Sequence, residues 1–69
     1  MKSQPQIQAE TLIHLAEQTL SASLSELRVL DKRIERHFNA GTLSPKGFCA
    51  LDALIMEEIA RFESLTSNH

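Results

Sequence analysis

The residues that most constrain this chain lie in one short stretch, FNAGTLSPKGF, which holds both glycines and one of the two prolines. Helix interiors tolerate glycine and proline least, and long helix-compatible sequence lies on either side of the stretch. Gly41 stands where a left-handed residue ends a helix. Ser44 and Pro45 suit the N-cap and the first position of the next helix. The sequence therefore predicts two antiparallel helices joined by a turn over residues 40–44.

Downstream of the turn, apolar residues recur at steps of mostly three and four, which is the period of one helix face. They are Phe48, Leu51, Leu54, Ile55, Ile59, Phe62 and Leu65. This pattern predicts a helix over about residues 45–65 whose apolar face packs on the upstream helix. Leu43, within the turn, is expected to close the open end of the hairpin core.

Upstream of the turn, a second apolar pattern keeps helical phase and predicts a helix over about residues 6–39. Its members are Ala9, Leu12, Ile13, Ala16, Leu20, Leu24, Leu27, Leu30, Ile34 and Phe38. A returning helix covers this pattern only down to about residue 20, which leaves residues 7–16 without a partner. The stretch SLSE is a capping box that favours a break near residues 21–23. Two alternatives stay open: a continuous helix, or a short first helix followed by a longer second one.

We therefore expect an all-α fold, an antiparallel helical hairpin with a short or continuous N-terminal helical extension, in a single domain over residues 1–69. Chains of this size bury only about 60% of their unfolded surface and usually need a disulfide, a metal or a partner. Cys49 is the only cysteine, which excludes an internal disulfide and favours a reducing compartment over secretion. By elimination, we expect a protein partner, or self-association when the chain is alone.

Other classes of function find little support in the composition. No apolar run approaches the length of a membrane span, and a net charge of −2 gives no general attraction to nucleic acid. His14, His37 and His69 form no helical ligand pair, so no metal and no cofactor are predicted. No catalytic constellation stands out, and we expect no enzyme. Cys49 is interpreted as a buried or half-buried packing residue.

The segment RVLDKRIERH is locally basic, and four of its side chains could contact phosphates. They are Arg28, Lys32, Arg33 and Arg36. Because Asp31 and Glu35 are interleaved with them, the segment is interpreted first as a solvated charged face. A homodimeric helical regulator that binds nucleic acid through these cations is kept as an alternative, as is an antitoxin-like inhibitor.

The downstream helix also carries a second apolar stripe, separated from the first by Asp52 and Glu63. Its members are Cys49, Ala53, Met56 and Ala60, at steps of four, three and four. Small residues with one adaptable methionine suit the close approach of another helix. We predict that these four residues bind a partner, together with three from the N-terminal segment: Ile7, Leu12 and Leu15. The alternative is that the N-terminal segment itself covers the stripe.

Over about residues 20–65 the chain resembles the small E-component chaperones of the type III secretion needle, the YscE/PscE family. The similar residues are DKRIERHFNAG at the end of the first hairpin helix, the turn, and PKGFCALDAL at the start of the second. Gly47 departs from the pattern, because a better helix former is expected there. The resemblance implies a cytoplasmic, non-enzymatic protein that pairs with a tetratricopeptide-like co-chaperone. Together the two proteins would keep the needle subunit from polymerising before export.

Overall fold

The computed structural model describes residues 2–67, with the side chains of residues 2–65, and these residues form three helices and no strand. Helix α1 spans Gln4–Ser21, α2 spans Leu24–Asn39 and α3 spans Pro45–Ser67. The predicted all-α class is confirmed. Helix α3 packs against both α1 and α2, which contact each other less.

The break between α1 and α2 has a local chemical cause. Ala22 is extended (φ −81°, ψ 148°) and Ser23 caps α2. The Ser23 hydroxyl accepts from the Glu26 N–H at 3.3 Å, and the Ser23 N–H donates to the Glu26 carboxylate at 3.4 Å. This reciprocal capping box satisfies N–H groups that a helix start leaves free. The broken alternative is therefore the one the structure adopts.

The first helix is not a short extension, and this part of the expectation is wrong. Helix α1 has 18 residues and α2 has 16. The reversal at Ala22 brings α1 back to the α2–α3 turn, where the side-chain amides of Gln4 and Gln8 both donate to the Gly41 carbonyl. Helix α1 therefore lies parallel to α3 and supplies part of its core, instead of projecting beyond a two-helix hairpin.

Only one face of α1 is buried. Leu15 is 1% exposed, and Thr19 is buried beside it with its hydroxyl donating to the Leu15 carbonyl at 2.8 Å. Ile13 and Leu20 are 58% and 64% exposed. The upstream apolar pattern included both residues, with Ile13 in the part expected to lack a partner, and the structure buries neither. Apolar residues occupy two sides of α1, and after the break only one of these sides meets the core.

The turn has the predicted chemistry. Gly41 has φ 81°, a left-handed conformation that glycine adopts without steric cost. The Gly41 N–H donates to the Phe38 carbonyl at 3.1 Å, and the Thr42 N–H donates to the His37 carbonyl at 3.0 Å. These two bonds form a Schellman motif and end α2. Leu43 is buried, which confirms its expected place at the end of the core.

Gly47, the position that departs from the family pattern, has a packing reason. A Cβ atom there would lie 3.1 Å from Cδ1 of Leu43 and 3.6 Å from Cδ1 of Leu12. The Gly47 N–H donates to the Ser44 hydroxyl at 3.0 Å, which caps α3 and leaves Pro45 as its first residue. A larger residue here would therefore crowd the Leu43 side chain, which would have to shift by a few tenths of an ångström.

The core lies where the three helices face one another. Its buried apolar residues are Leu15, Ala22, Leu27, Leu30, Ile34, Leu43, Leu51 and Ile55. Partly buried side chains pack around it: Leu12, Ala16, Phe48, Ile59 and Phe62. This small core fixes which side of α3 is left to the solvent.

Candidate protein-binding surface

The second apolar stripe of α3 is exposed. All four of its members, Cys49, Ala53, Met56 and Ala60, are exposed, and Met56 keeps 63% of its surface. Successive residues of an α-helix turn by about 100°, which places these four on the side of α3 opposite the buried Leu51 and Ile55. We call this set the back stripe. Residues 7–20 do not cover it, so the alternative that they do is wrong for this structure.

The N-terminal residues predicted to join the back stripe lie elsewhere. Leu15 is a core residue, and its assignment to a partner surface is wrong, because α1 folds back and buries it against α3. Leu12 is half-buried against the same core, and Ile7 is half-buried near the start of α1. The structure therefore does not bring Ile7, Leu12 and Leu15 together with the back stripe.

A second exposed apolar row, on α1, was missed from the sequence. Ala9, Ile13 and Leu20 are exposed, and Ala16 between them is half-buried. Their steps are again four, three and four. The signal is present in the sequence, but these four residues were grouped with the core-facing ones in a single upstream apolar pattern. We call this set the α1 row.

The four cations of the basic segment of α2 share one surface depression. The exposed side chains of Arg28, Lys32, Arg33 and Arg36 line one shallow depression together with Val29. Asp31 and Glu35 do not line it. Asp31 stands three residues from Arg28, and Glu35 stands three residues from Lys32, so the two carboxylates remain helical neighbours of two of these cations.

Glu58 is a buried carboxylate that sequence reasoning also missed. It is 5% exposed and lies 3.5 Å from the exposed guanidinium of Arg61. The available signal was its spacing, because Leu51, Ile55, Glu58 and Phe62 follow the same four, three and four steps along the core face.

The cysteine and the histidines of the described residues lie apart from one another. Cys49 is a free, exposed thiol, so its expected burial is wrong. The His37 ring lies 2.9 Å from the Thr42 hydroxyl, and the His14 ring lies 2.9 Å from the Gln18 side chain. Within residues 2–67, no three histidine, cysteine or acidic side chains come together as a metal site would require. His69 lies outside the described residues.

No protein-family model, no curated protein and no solved structure matches this chain. The helices of the described region are too short or too polar to cross a bilayer. The surfaces of α1, α2 and α3 described above are therefore the features that bear on function.

Proposed function

We propose that this protein is a non-enzymatic helical adaptor that holds another protein by helix–helix contact along the back stripe. The observation that carries the proposal is an exposed row of small apolar residues, with Met56 at 63% exposure, on the side of α3 that faces away from α1 and α2. A helix needs only one apolar face to join the core, and α3 already has it. The second face is available for a partner.

The chemistry of the back stripe supports a helical partner. Cys49, Ala53 and Ala60 have small side chains, so a neighbouring backbone can approach closely. Met56 has a flexible thioether that adapts to irregular surfaces. The exposed Ile13 and Leu20 of the α1 row add a further apolar surface on a very small protein. Exposed apolar surface of this kind is typical of protein–protein contact.

The resemblance to needle chaperones gives the proposal a specific form. We propose a cytoplasmic chaperone that binds a tetratricopeptide-like co-chaperone and helps keep a type III secretion needle subunit soluble before export. The α2–turn–α3 hairpin is the part that the resemblance covers, and its Schellman turn and Ser44 cap support it. The 18-residue α1 lies almost wholly outside residues 20–65, which the resemblance covers.

A second candidate function is nucleic-acid binding through α2. It is favoured by one observation: Arg28, Lys32, Arg33 and Arg36 share a depression that Asp31 and Glu35 do not line. Phosphate contacts release counterions, so this binding would weaken steeply with added salt, whereas an apolar helix contact would not. A titration with a labelled duplex at two salt concentrations separates the two functions.

The adaptor function is tested by recovering partners of the tagged protein from cells that express it naturally. We expect the parent to recover a specific protein in stoichiometric amount, and the Ala53→Arg variant to lose it, because a long cation stands where the partner helix approaches. Ala40→Arg is the matched control, since Ala40 is exposed at the end of α2, away from the back stripe. Equal recovery by both variants would contradict the proposal.

A further inference from the structure

We infer that two copies of this chain exchange α1, and that α1 and α2 then join into one continuous helix in each copy. The exchange covers the α1 row, which the folded monomer leaves exposed. It goes beyond the adaptor function, because it does not involve the back stripe. The inference is carried by an apolar repeat that runs through the break at Ala22, and by the backbone of the two residues that form the break.

The α1 row is the first half of a longer repeat. Beyond Leu20, the alternation of three-residue and four-residue steps continues without interruption into α2. The further members are Ser23, Leu27, Leu30 and Ile34. Apolar residues at alternating steps of three and four form the heptad pattern by which one helix packs along another. A continuous helix would therefore carry the α1 row and the core residues of α2 on one face, with Ser23 as the only polar member.

The two halves of this repeat differ in exposure. Leu27 and Ile34, in α2, are both 0% exposed, whereas Ile13 and Leu20, at the equivalent positions of α1, are 58% and 64% exposed. The break changes the phase of α1 relative to α2, so that Leu15 faces the core instead. A continuous helix removes this offset and turns Ile13 and Leu20 toward the face on which Leu27 and Ile34 lie.

The break consists of two residues that differ from a helix in one backbone angle each. Ala22 has φ −81° and ψ 148°, and Ser23 has φ −76° and ψ 171°. Both φ angles are near the helical value of about −63°, so rotation of the two ψ angles to about −42° makes the helix continuous. Alanine is also the strongest helix former. The capping box of Ser23 and Glu26 stabilises the break, and the continuous helix loses it.

A continuous helix over residues 4–39 cannot close on its own core. Its α1 segment points away from α3 of the same chain, and the place of α1 beside α2 and α3 is left empty. A second copy in the same state, related by a two-fold axis, fills that place with its own α1 and receives α1 in return. Because the two long helices run antiparallel, each α1 meets α2 and α3 of the other copy in the same directions as in the monomer.

The balance between the two forms depends on protein concentration. The two-residue connection keeps α1 close to its site in the same chain, which corresponds to a high effective concentration and favours the monomer in dilute solution. The dimer gains an uninterrupted helix and covers the α1 row. We therefore expect the monomer at micromolar protein and the exchanged dimer at millimolar protein.

A distance within one chain separates exchange from the association of two closed chains. Spin labels are attached to Gln6→Cys and Asn39→Cys, at exposed positions, in a Cys49→Ser background, and labelled chains are diluted into unlabelled protein. In the monomer the labelled ends are close, because Gln8 of α1 contacts the Gly41 carbonyl. In the exchanged dimer the helix between the labels is about 50 Å long. We expect the long distance to appear as total protein rises; a dimer that shows only the short distance would overturn the inference.

Leu24→Pro tests whether the dimer contains the continuous helix. Leu24 is the first residue of α2, where proline is tolerated, and the extended Ser23 has the conformation favoured before proline. Inside a continuous helix the same proline removes a hydrogen bond to the Leu20 carbonyl and clashes with it. We expect the dimer association constant, measured by sedimentation equilibrium, to be at least about tenfold lower than in Leu24→Ala. That control loses the same side chain without blocking the helix, and equal association of the two variants would contradict the exchange.

Ser23→Ala tests the break from the opposite direction. It removes the hydroxyl that accepts from the Glu26 N–H, and it makes the repeat apolar throughout. We expect the association constant to rise at least about tenfold over the parent, because both chains of the dimer no longer give up a cap. Ser25→Ala, at an exposed position in the first turn of α2, is the control and should associate as the parent does. Unchanged association of Ser23→Ala would contradict the inference.

The remaining outcomes separate this inference from the adaptor function. Ala53→Arg lies on the back stripe, away from α1, and should exchange α1 like the parent while losing the adaptor's partner. A parent dimer that is lost in Ala53→Arg would be a contact through the back stripe and would overturn the inference. If the parent and Ser23→Ala both stay monomeric at millimolar protein, the exchange is wrong and the adaptor proposal is unaffected.

Discussion

The two faces of α3 have the same residue spacing, but one face is buried and the other is exposed. Leu51, Ile55, Glu58 and Phe62 follow steps of four, three and four on the core side, and Cys49, Ala53, Met56 and Ala60 follow the same steps on the back. The first set is buried or half-buried, and the second is exposed. The faces differ in side-chain volume. Spacing therefore identifies a helix face, whereas the size of its residues decides which face forms the core.

The largest expected effect comes from truncating the core face. Leu51→Ala and Ile55→Ala should each lower the free energy of unfolding by about 2–5 kcal/mol, because each leaves a cavity in a tightly packed site. Met56→Ala, on the back, should change it by less than about 0.5 kcal/mol. Urea unfolding of the three variants measures the contrast. A comparable loss of unfolding free energy in Met56→Ala would contradict the assignment of the back stripe to the surface.

A smaller effect is expected from adding volume to each face. Gly47→Val should destabilise the protein by about 1–3 kcal/mol, because its first added carbon already crowds Leu43. Ala53→Val adds carbon to the exposed back and should cost less than about 0.5 kcal/mol, mainly through helix propensity. Thermal melts followed by circular dichroism compare the pair. A stable Gly47→Val variant would show that the turn and α1 pack less closely on α3 than described.

In the turn, backbone conformation, and not side-chain volume, decides the expected effect of a substitution. Gly41→Val should destabilise by more than about 1 kcal/mol, because a β-branched residue resists the positive φ of 81°. Ala40→Val, at the neighbouring position with φ −80°, should cost less. Chemical unfolding of both variants checks the difference. Equal stability of the two would mean that the left-handed residue is not at Gly41.

Replacing the one carboxylate of the core face should have the smallest effect, and with the opposite sign. Glu58→Leu should leave stability unchanged or raise it by about 1 kcal/mol, because a buried charge with a single ion-pair partner gives little net stabilisation. Glu57→Leu, one residue away and exposed, is the control and should be neutral. A marked loss in Glu58→Leu would show that this carboxylate stabilises the junction of the helices.

Much of the fold could be predicted because its signals are local. Gly41, Ser44 and Pro45 set the turn through backbone preferences that act within a few residues. The break at Ala22 was left open, since the Ser23 capping box favoured it while the apolar phase continued through it. The direction of α1 after the break depends on distant contacts with α3, which no local pattern records. The exposure of Ile13 and Leu20 follows from the way α1 packs against α3, so only the structure could show it.

The candidate surface was predicted in part, for related reasons. The back stripe was recognised from its spacing and its small residues. Its exposure depended on where α1 packs, and Leu15 was misassigned because α1 was expected to project away from the hairpin. The depression that the four cations of α2 share was not predicted, because the linear order of charges does not show the shape of the surface they line.

The central claim is that the back stripe lies outside a fold that is complete without it. The most direct test is urea unfolding of the Ala53→Arg/Ala60→Arg double variant, at a concentration where it and the parent are both monomeric by sedimentation equilibrium. We predict full helicity and a free energy of unfolding within about 0.5 kcal/mol of the parent, as for exposed surface positions. A loss of more than about 2 kcal/mol, the size of a core disruption, would mean that the stripe is internal and would contradict the account.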